Sequence, residues 1–405
     1  MNFNYRVPGV YKEDLLVQAV PPLPTGVPGF VGFADARNAG KDYFNQVVEL
    51  YRKDEFDAKF VARADSYLSE AVAGFFHNGG THCYVVRAAT VAVKDADAKA
   101  ASLTRALQAL ESVLSLDLIA IPDAMTLYMS SDQLDTAAVV RMQQEMLRHC
   151  EAQGGRLAIL DSLPAATTES VRQQRTNLAL GVNEPLNGAL YYPWIKVLPN
   201  TSTLTGMSST ETGANTDRFI PPSGHVAGIF SRSDNNRGVF KAPANEELNG
   251  VIDLETPVDN RIQDELNPEG INCLRAFPGR GIRVWGARTL SRDPNWRYIN
   301  VRRLFLTLRR WIDANMTWAN FESNTPLLWV RIARELGHYL EQLWVSGALV
   351  GRTPAEAFYV KCDAETNPPE VRELGQTITE VGLAPSKPAE FIVMRVIHHV
   401  GIEPR

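Results

Sequence analysis

The residues of this chain that could do chemistry are few and scattered. His77-Asn-Gly-Gly-Thr-His82-Cys83 brings two imidazoles and a thiol close together. Tetrahedral zinc needs three or four converging ligands, and nothing else in the sequence is spaced to complete the set, so the segment reads as a turn between a helix and a strand. His398-His399 is adjacent on an expected strand, where neighbours point to opposite faces and cannot easily share one metal. Gly40-Lys41-Asp42 fails as a phosphate loop: Asp35 stands where the first glycine is needed, and no hydroxyl follows the lysine. Gly279, Gly281 and Gly286 miss the dinucleotide spacing, and the GxSxG elbow of hydrolases is absent. No cofactor or metal is expected. The remaining argument for catalysis is positional. Asp123 and Asp161 follow short apolar strands, where ligand sites of parallel sheets form, yet an aspartate there also serves as a helix cap or turn residue. With no nucleophile in sight, the chain reads as a non-enzyme, with an α/β enzyme near Asp123 and Asp161 as the alternative.

The elements that would hold these residues alternate. Gly29–Phe33, Tyr84–Val86, Leu118–Ile121, Leu157–Leu160 and Ala189–Tyr192 read as strands. Between them lie helices at about 99–115 (Leu103, Leu107, Leu110, Leu114), 132–152 (Leu134, Ala138, Met142, Met146) and 168–180. Apolar strands alternating with helices predict an α/β body with a mixed, largely parallel sheet covered on both faces. Residues 200–218 are rich in Thr, Ser and Gly and read as an exposed loop, after which Pro221–Val226 returns to order. Two strong helices follow. One spans about 299–318 and buries Val301, Leu304, Leu308 and Trp311. The other starts at Thr325 as N-cap with Pro326 at its first position, and buries Leu328, Ile332, Leu336, Leu340 and Leu343.

The chain has 405 residues, enough for two or three domains, with 45% hydrophobic and 21% charged residues, the balance of a soluble globular protein. A net charge of −5 argues against a general nucleic-acid binder. Cys83, Cys150, Cys273 and Cys362 form no CxxC pair, which fits folding in a reducing cytosol. The N-terminal MNFNYRVPGVYKED lacks the apolar core of a signal peptide, and no apolar run approaches membrane-spanning length, so no membrane insertion is expected. Val7-Pro8-Gly9-Val10-Tyr11 offers a short extended arm, joined to the body by a spacer of four prolines from Pro21 to Pro28 that is stiffened toward polyproline II. Phe391–Ile397 reads as a second terminal strand, again after a proline-spaced stretch.

The densest signal is Phe277–Arg303, FPGRGIRVWGARTLSRDPNWRYINVRR, which gathers Trp285, Trp296, Tyr298 and a series of arginines. Planar cations and aromatics are over-used at contact surfaces between proteins. This run resembles the start of the C-terminal domain of contractile tail sheath proteins. Further segments resemble that family in order: Pro8–Tyr11, Thr25–Pro28, Phe30–Gly32, Ala71–Gly80, Arg156–Asp161, Tyr191–Trp194, Pro221–Gly228, Lys241–Asn245, Leu266–Asn272 and Pro388–Phe391. The wording is most similar to sheaths of extracellular, phage-tail-like injection systems, with phage and bacteriocin sheaths kept open.

The resemblance implies a structural subunit that stacks as hexameric rings around an inner tube and contracts to drive that tube through a target envelope. Implied partners are further copies of the chain, the inner tube protein, baseplate and tail terminator proteins, and sister sheath paralogues. A non-contractile terminator or baseplate-bound paralogue is the other structural alternative. Assembly in the bacterial cytoplasm and action outside the cell, or in a virion tail, follow. The expected division is an arm and linker at 1–28, a body at 29–275, a C-terminal α/β domain at 276–385 facing the tube, and a β arm at 386–405. Val7, Val10, Tyr11, Phe391, Val393, Arg395 and Ile397 would pair with neighbouring subunits by strand addition. Arg302, Arg303, Arg309 and Arg310, or Arg331 and Arg334, would face the tube.

Overall fold

The computed structural model describes residues 23–38, 42–89, 95–129, 133–179, 187–197 and 218–386, with the backbone of 392–399. Val7, Val10, Tyr11 and Phe391, and the expected loop at 200–218 up to Asp217, lie outside the described residues.

The body is built on one nine-stranded sheet with helices on both faces, beside which lie a small three-stranded and a two-stranded antiparallel sheet. The strands of the large sheet are β1 (Pro28–Gly32), β2 (Val47–Leu50), β3 (Cys83–Arg87), β4 (Leu118–Ala120), β5 (Leu157–Asp161), β6 (Gly188–Tyr192), β7 (Glu246–Glu247), β8 (Ile271–Phe277) and β9 (Gly281–Val284). They lie in the order β7-β9-β8-β6-β5-β4-β1-β3-β2. Strands β8, β6, β5, β4, β1 and β3 run parallel; β2 pairs antiparallel at one edge, β9 and then β7 at the other. The largely parallel sheet read from the apolar strands is present. The boundary expected at 275/276 falls inside β8, and the β8–β9 hairpin stays in the body sheet.

Alternate residues of each strand feed separate cores, as the pleat requires. On one face Val31, Val86, Ile119 and Leu160 pack under α2 (Ala96–Ala109), α3 (Thr136–Gln153) and α4 (Thr168–Asn177). On the other, Phe30, Val85, Leu118 and Ile159 pack under α1 (Leu68–His77) and α5 (Ser223–Arg237). Asp95, Asp135 and Thr167 accept backbone N–H groups at the starts of α2, α3 and α4, which fixes where those helices begin. Helix α2 stops at Ala109 and tightens into a 3-10 turn, so Leu114 is 86% exposed rather than on the inner face.

The C-terminal lobe is built on α6 (Ile299–Asn315), α7 (Pro326–Val345) and a three-stranded antiparallel sheet, β10 (Phe358–Lys361), β11 (Gln376–Leu383) and β12 (Ile392–His399). Helix α6 serves two cores. Ile299 and Leu306 join the body, while Val301, Leu304, Phe305 and Leu308 pack with Leu328, Ile332, Leu336 and Leu340 of α7. Trp311 is half-buried and stacks on Tyr339 at 4.1 Å. Thr325 occupies the N-cap position of α7 without a side-chain cap bond, and Leu343 is only partly buried.

Candidate assembly surfaces

The carboxylates that might have marked an enzyme are structural. Asp123 is enclosed and accepts from the backbone N–H of Phe33 (2.6 Å) and Tyr67 (2.5 Å) and from Ser66 Oγ (2.7 Å), which ties the end of β1 to the start of α1. Asp161 accepts from the N–H of Ser223 at 2.8 Å and caps α5 from outside that helix. Burial pushes the Asp123 carboxyl up to about 6 and that of Asp161 up to about 7. Every donor reaching them belongs to a helix start or a strand end. His77 closes α1 and Cys83 opens β3, so the intervening segment is the expected turn; His82 stacks on Tyr51 at 5.6 Å. Among the described residues no group of three His, Cys, Asp or Glu converges as a metal site. No described helix is long and apolar enough to cross a membrane.

The arginines of α6 divide by helix face. Arg303 is 2% exposed and donates to Asp234 (2.8 Å) and to Asp117 (2.8 Å). Burial works against this cation, but the two carboxylates outweigh it and hold the guanidinium charged. Two turns on, Arg310 is buried too and donates to the carbonyls of Pro24 (3.0 Å) and Ser115 (2.7 Å). Asp117 also accepts from the N–H of Gly26 and Val27. Neither Arg303 nor Arg310 can face a tube, which corrects the sequence expectation. They join the C-terminal lobe to the body and to the point where the N-terminal segment meets β1. Arg302 is half-buried, donates to Asn187 Oδ1 at 2.6 Å and lies over the Trp296 ring at 4.6 Å. Only Arg309 of the four is exposed.

Helix α7 keeps both of its candidate arginines at the surface. Arg331 and Arg334 are exposed on the side opposite Leu328, Ile332, Leu336 and Leu340. Arg331 covers the Trp318 ring at 3.7 Å and sits 3.5 Å from Glu335, whereas Arg334 has no ion pair among the described residues. The same stripe carries Leu327, Val330 and Val345, exposed by 80%, 65% and 76%. Sequence reasoning missed these apolar residues, although Leu327-Leu328 and Val330 are more apolar than a helix buried on one side needs.

The terminal strand lies on its own subunit. β12 pairs antiparallel with β11 along its whole length, placing Val393 opposite Gly382, Arg395 opposite Glu380 and Ile397 opposite Ile378. The sequence reading had put these three residues on a neighbour's sheet; in the isolated chain they complete the chain's own. The far edges of β10 and β12 are unpaired among the described residues.

A family model described as the phage tail sheath protein central domain matches residues 96–290, and one described as the phage tail sheath C-terminal domain matches 291–398. The helical sheath of the anti-feeding prophage in its contracted state is 30% identical, over 96% of this chain and 98% of that one, with a TM-score of 0.71. The sheath complex of PVC, an extracellular contractile injection system, in its contracted state is 27% identical, over 97% and 98%, with a TM-score of 0.68. The tail sheath protein of Vibrio phage KVP40 is 26% identical over 185 residues, or 45% of this chain; the match spans 27% of that relative's length.

Proposed function

Because this chain belongs to the phage tail sheath protein family, we propose that it is the contractile sheath subunit of an injection system. The near end-to-end match to the anti-feeding prophage sheath carries this reading. Copies stack as hexameric rings around an inner tube, and a signal from a baseplate triggers shortening that drives the tube into a target. A tail terminator closes the far end. The subunit folds in the bacterial cytoplasm and works in the released particle. Its role is mechanical rather than catalytic, in keeping with Asp123 and Asp161 acting as caps for helix starts.

Two features of the subunit support this mode of work. Heterologous contacts that do not close on themselves build helical stacks, and the open edges of the C-terminal sheet suit strand addition between copies. The β11–β12 ladder can be satisfied by a neighbour's strand as well as by the chain's own, which is the logic of domain swapping. Contraction then moves bodies about preserved links. The α7 stripe is the surface we assign to the tube, with Arg309 at its margin.

Negative-stain electron microscopy of the purified full chain tests the proposal: ridged tubes are expected, and a preparation that stays monomeric under all salt conditions sinks it. Deleting 391–405 leaves a folded body that no longer forms tubes.

A further inference from the structure

Resting on the sheath reading, we propose that a pocket beside α4 is a carboxylate socket that receives an acidic side chain of a second copy of this chain. The pocket encloses about 200 Å³ and is lined by Arg175, Glu269, Gly270, Arg288, Arg292 and Arg297 among others. Arg175 lies in α4, Glu269 and Gly270 form the turn ahead of β8, and the other three arginines belong to the segment between β9 and α6.

The floor is rigid. Gly270 sits at φ +79°, and a Cβ there would lie 2.5 Å from the Thr289 carbonyl, so the turn presses directly on the arginine segment. Arg175 donates to the carbonyls of Glu269 (2.7 Å) and Leu290 (3.1 Å), and Arg288 to that of Asn267 (3.0 Å). These bonds fix both guanidiniums in place without neutralising them. Burial, and then the neighbouring Arg292 charge, disfavour the Arg175 cation. At the rim Arg292 and Arg297 are exposed and have no ion pair among the described residues. The one lining carboxylate, Glu269, is 3.8 Å from Arg172 outside the pocket and is shared with it.

Four cations against one shared anion is an unfavourable arrangement until a further anion arrives. It stands out in a chain with 46 acidic and 41 basic residues. Guanidinium forks match a carboxylate bidentately. A stacked polymer presents its neighbour's carboxylates at high effective concentration, whereas a free ion must be captured from solution. The copies themselves supply the acidic surplus.

The test compares the full-length chain with the double variant R292A/R297A. In the unassembled state, millimolar glutarate at constant ionic strength should raise the melting temperature of the parent chain and leave the variant unmoved. Without glutarate the variant should melt no lower than the parent chain, because two of the four crowded cations are gone. Under assembling conditions the variant should form sheath at least about ten-fold less readily, the size of one lost charge-assisted contact. Tubes from the variant equal to those of the parent chain overturn the proposal, as does the absence of any glutarate shift. A shift given by phosphate but not by glutarate also overturns it, and assigns the pocket to a free oxyanion. Should the parent chain bind glutarate yet never assemble, the sheath reading and the second copy as occupant fall together, and only the carboxylate chemistry of the pocket remains.

Discussion

Asp161 is a carboxylate held in a closed space by one backbone donor, and its titration feeds into stability. Its carboxyl is raised to about 7, and that of Asp123 to about 6, in both cases chiefly through burial. A raised folded value means that the folded state holds the proton more tightly than the unfolded chain. The stability from these groups is therefore fully present below pH ~4 and lost as pH climbs through 6 and 7. Asp161→Asn keeps an oxygen acceptor for Ser223 and removes that titration. Urea unfolding should show the parent chain losing about 2 kcal/mol or more between pH 5 and pH 8 relative to the variant. Parallel pH profiles would contradict the assignment. Both aspartates were legible in the sequence as candidates, because they follow short apolar strands. Their role as caps was only one of two readings, since the helix starts they serve, at Tyr67 and Ser223, lie far away in sequence.

At the scale of elements, the alternation of strand and helix was readable because apolar strands buried on both faces leave a plain mark. Helix α5 was not. Its sequence, SGHVAGIFSRSDNNR, has no one-sided apolar stripe because nearly every side of its first three turns is buried. Small residues take the place of a stripe: a Cβ on Gly224 would lie 2.3 Å from Ala71 Cα and 2.4 Å from the Ala71 carbonyl, so α1 and α5 touch backbone to backbone. Gly224→Ala should push the helices apart and cost about 1–3 kcal/mol, read as a lower melting temperature; an unchanged melt would mean that the crossing has slack. Helix α7 shows the opposite pattern, with too many apolar residues for one buried face. Reversing the charge of Arg334, which has no ion pair among the described residues, should change stability by no more than about 0.5 kcal/mol while loosening attachment to the tube. Variant sheaths that co-purify with tube as before would move the tube contact elsewhere.

Across the whole molecule, the junction of body and C-terminal lobe depends on pairs no local pattern reveals. Arg303 meets Asp234 and Asp117, which stand 69 and 186 positions upstream. An arginine on an amphipathic helix reads as solvated, and only the folded arrangement shows it enclosed. Arg303→Met leaves Asp234 buried without its cation and Asp117 with only Arg310, 3.9 Å away, and should destabilise by about 3–5 kcal/mol. Replacing Asp234 with Leu in the same chain should return part of that loss. A Met variant that unfolds at the parent urea midpoint would show that the cluster contributes nothing.

Helix α6 places residues in the cores of both lobes along a single rigid rod. A hinge between the lobes would have to tear one of those cores open. Each subunit is therefore one solid block, whose two cores can only move together.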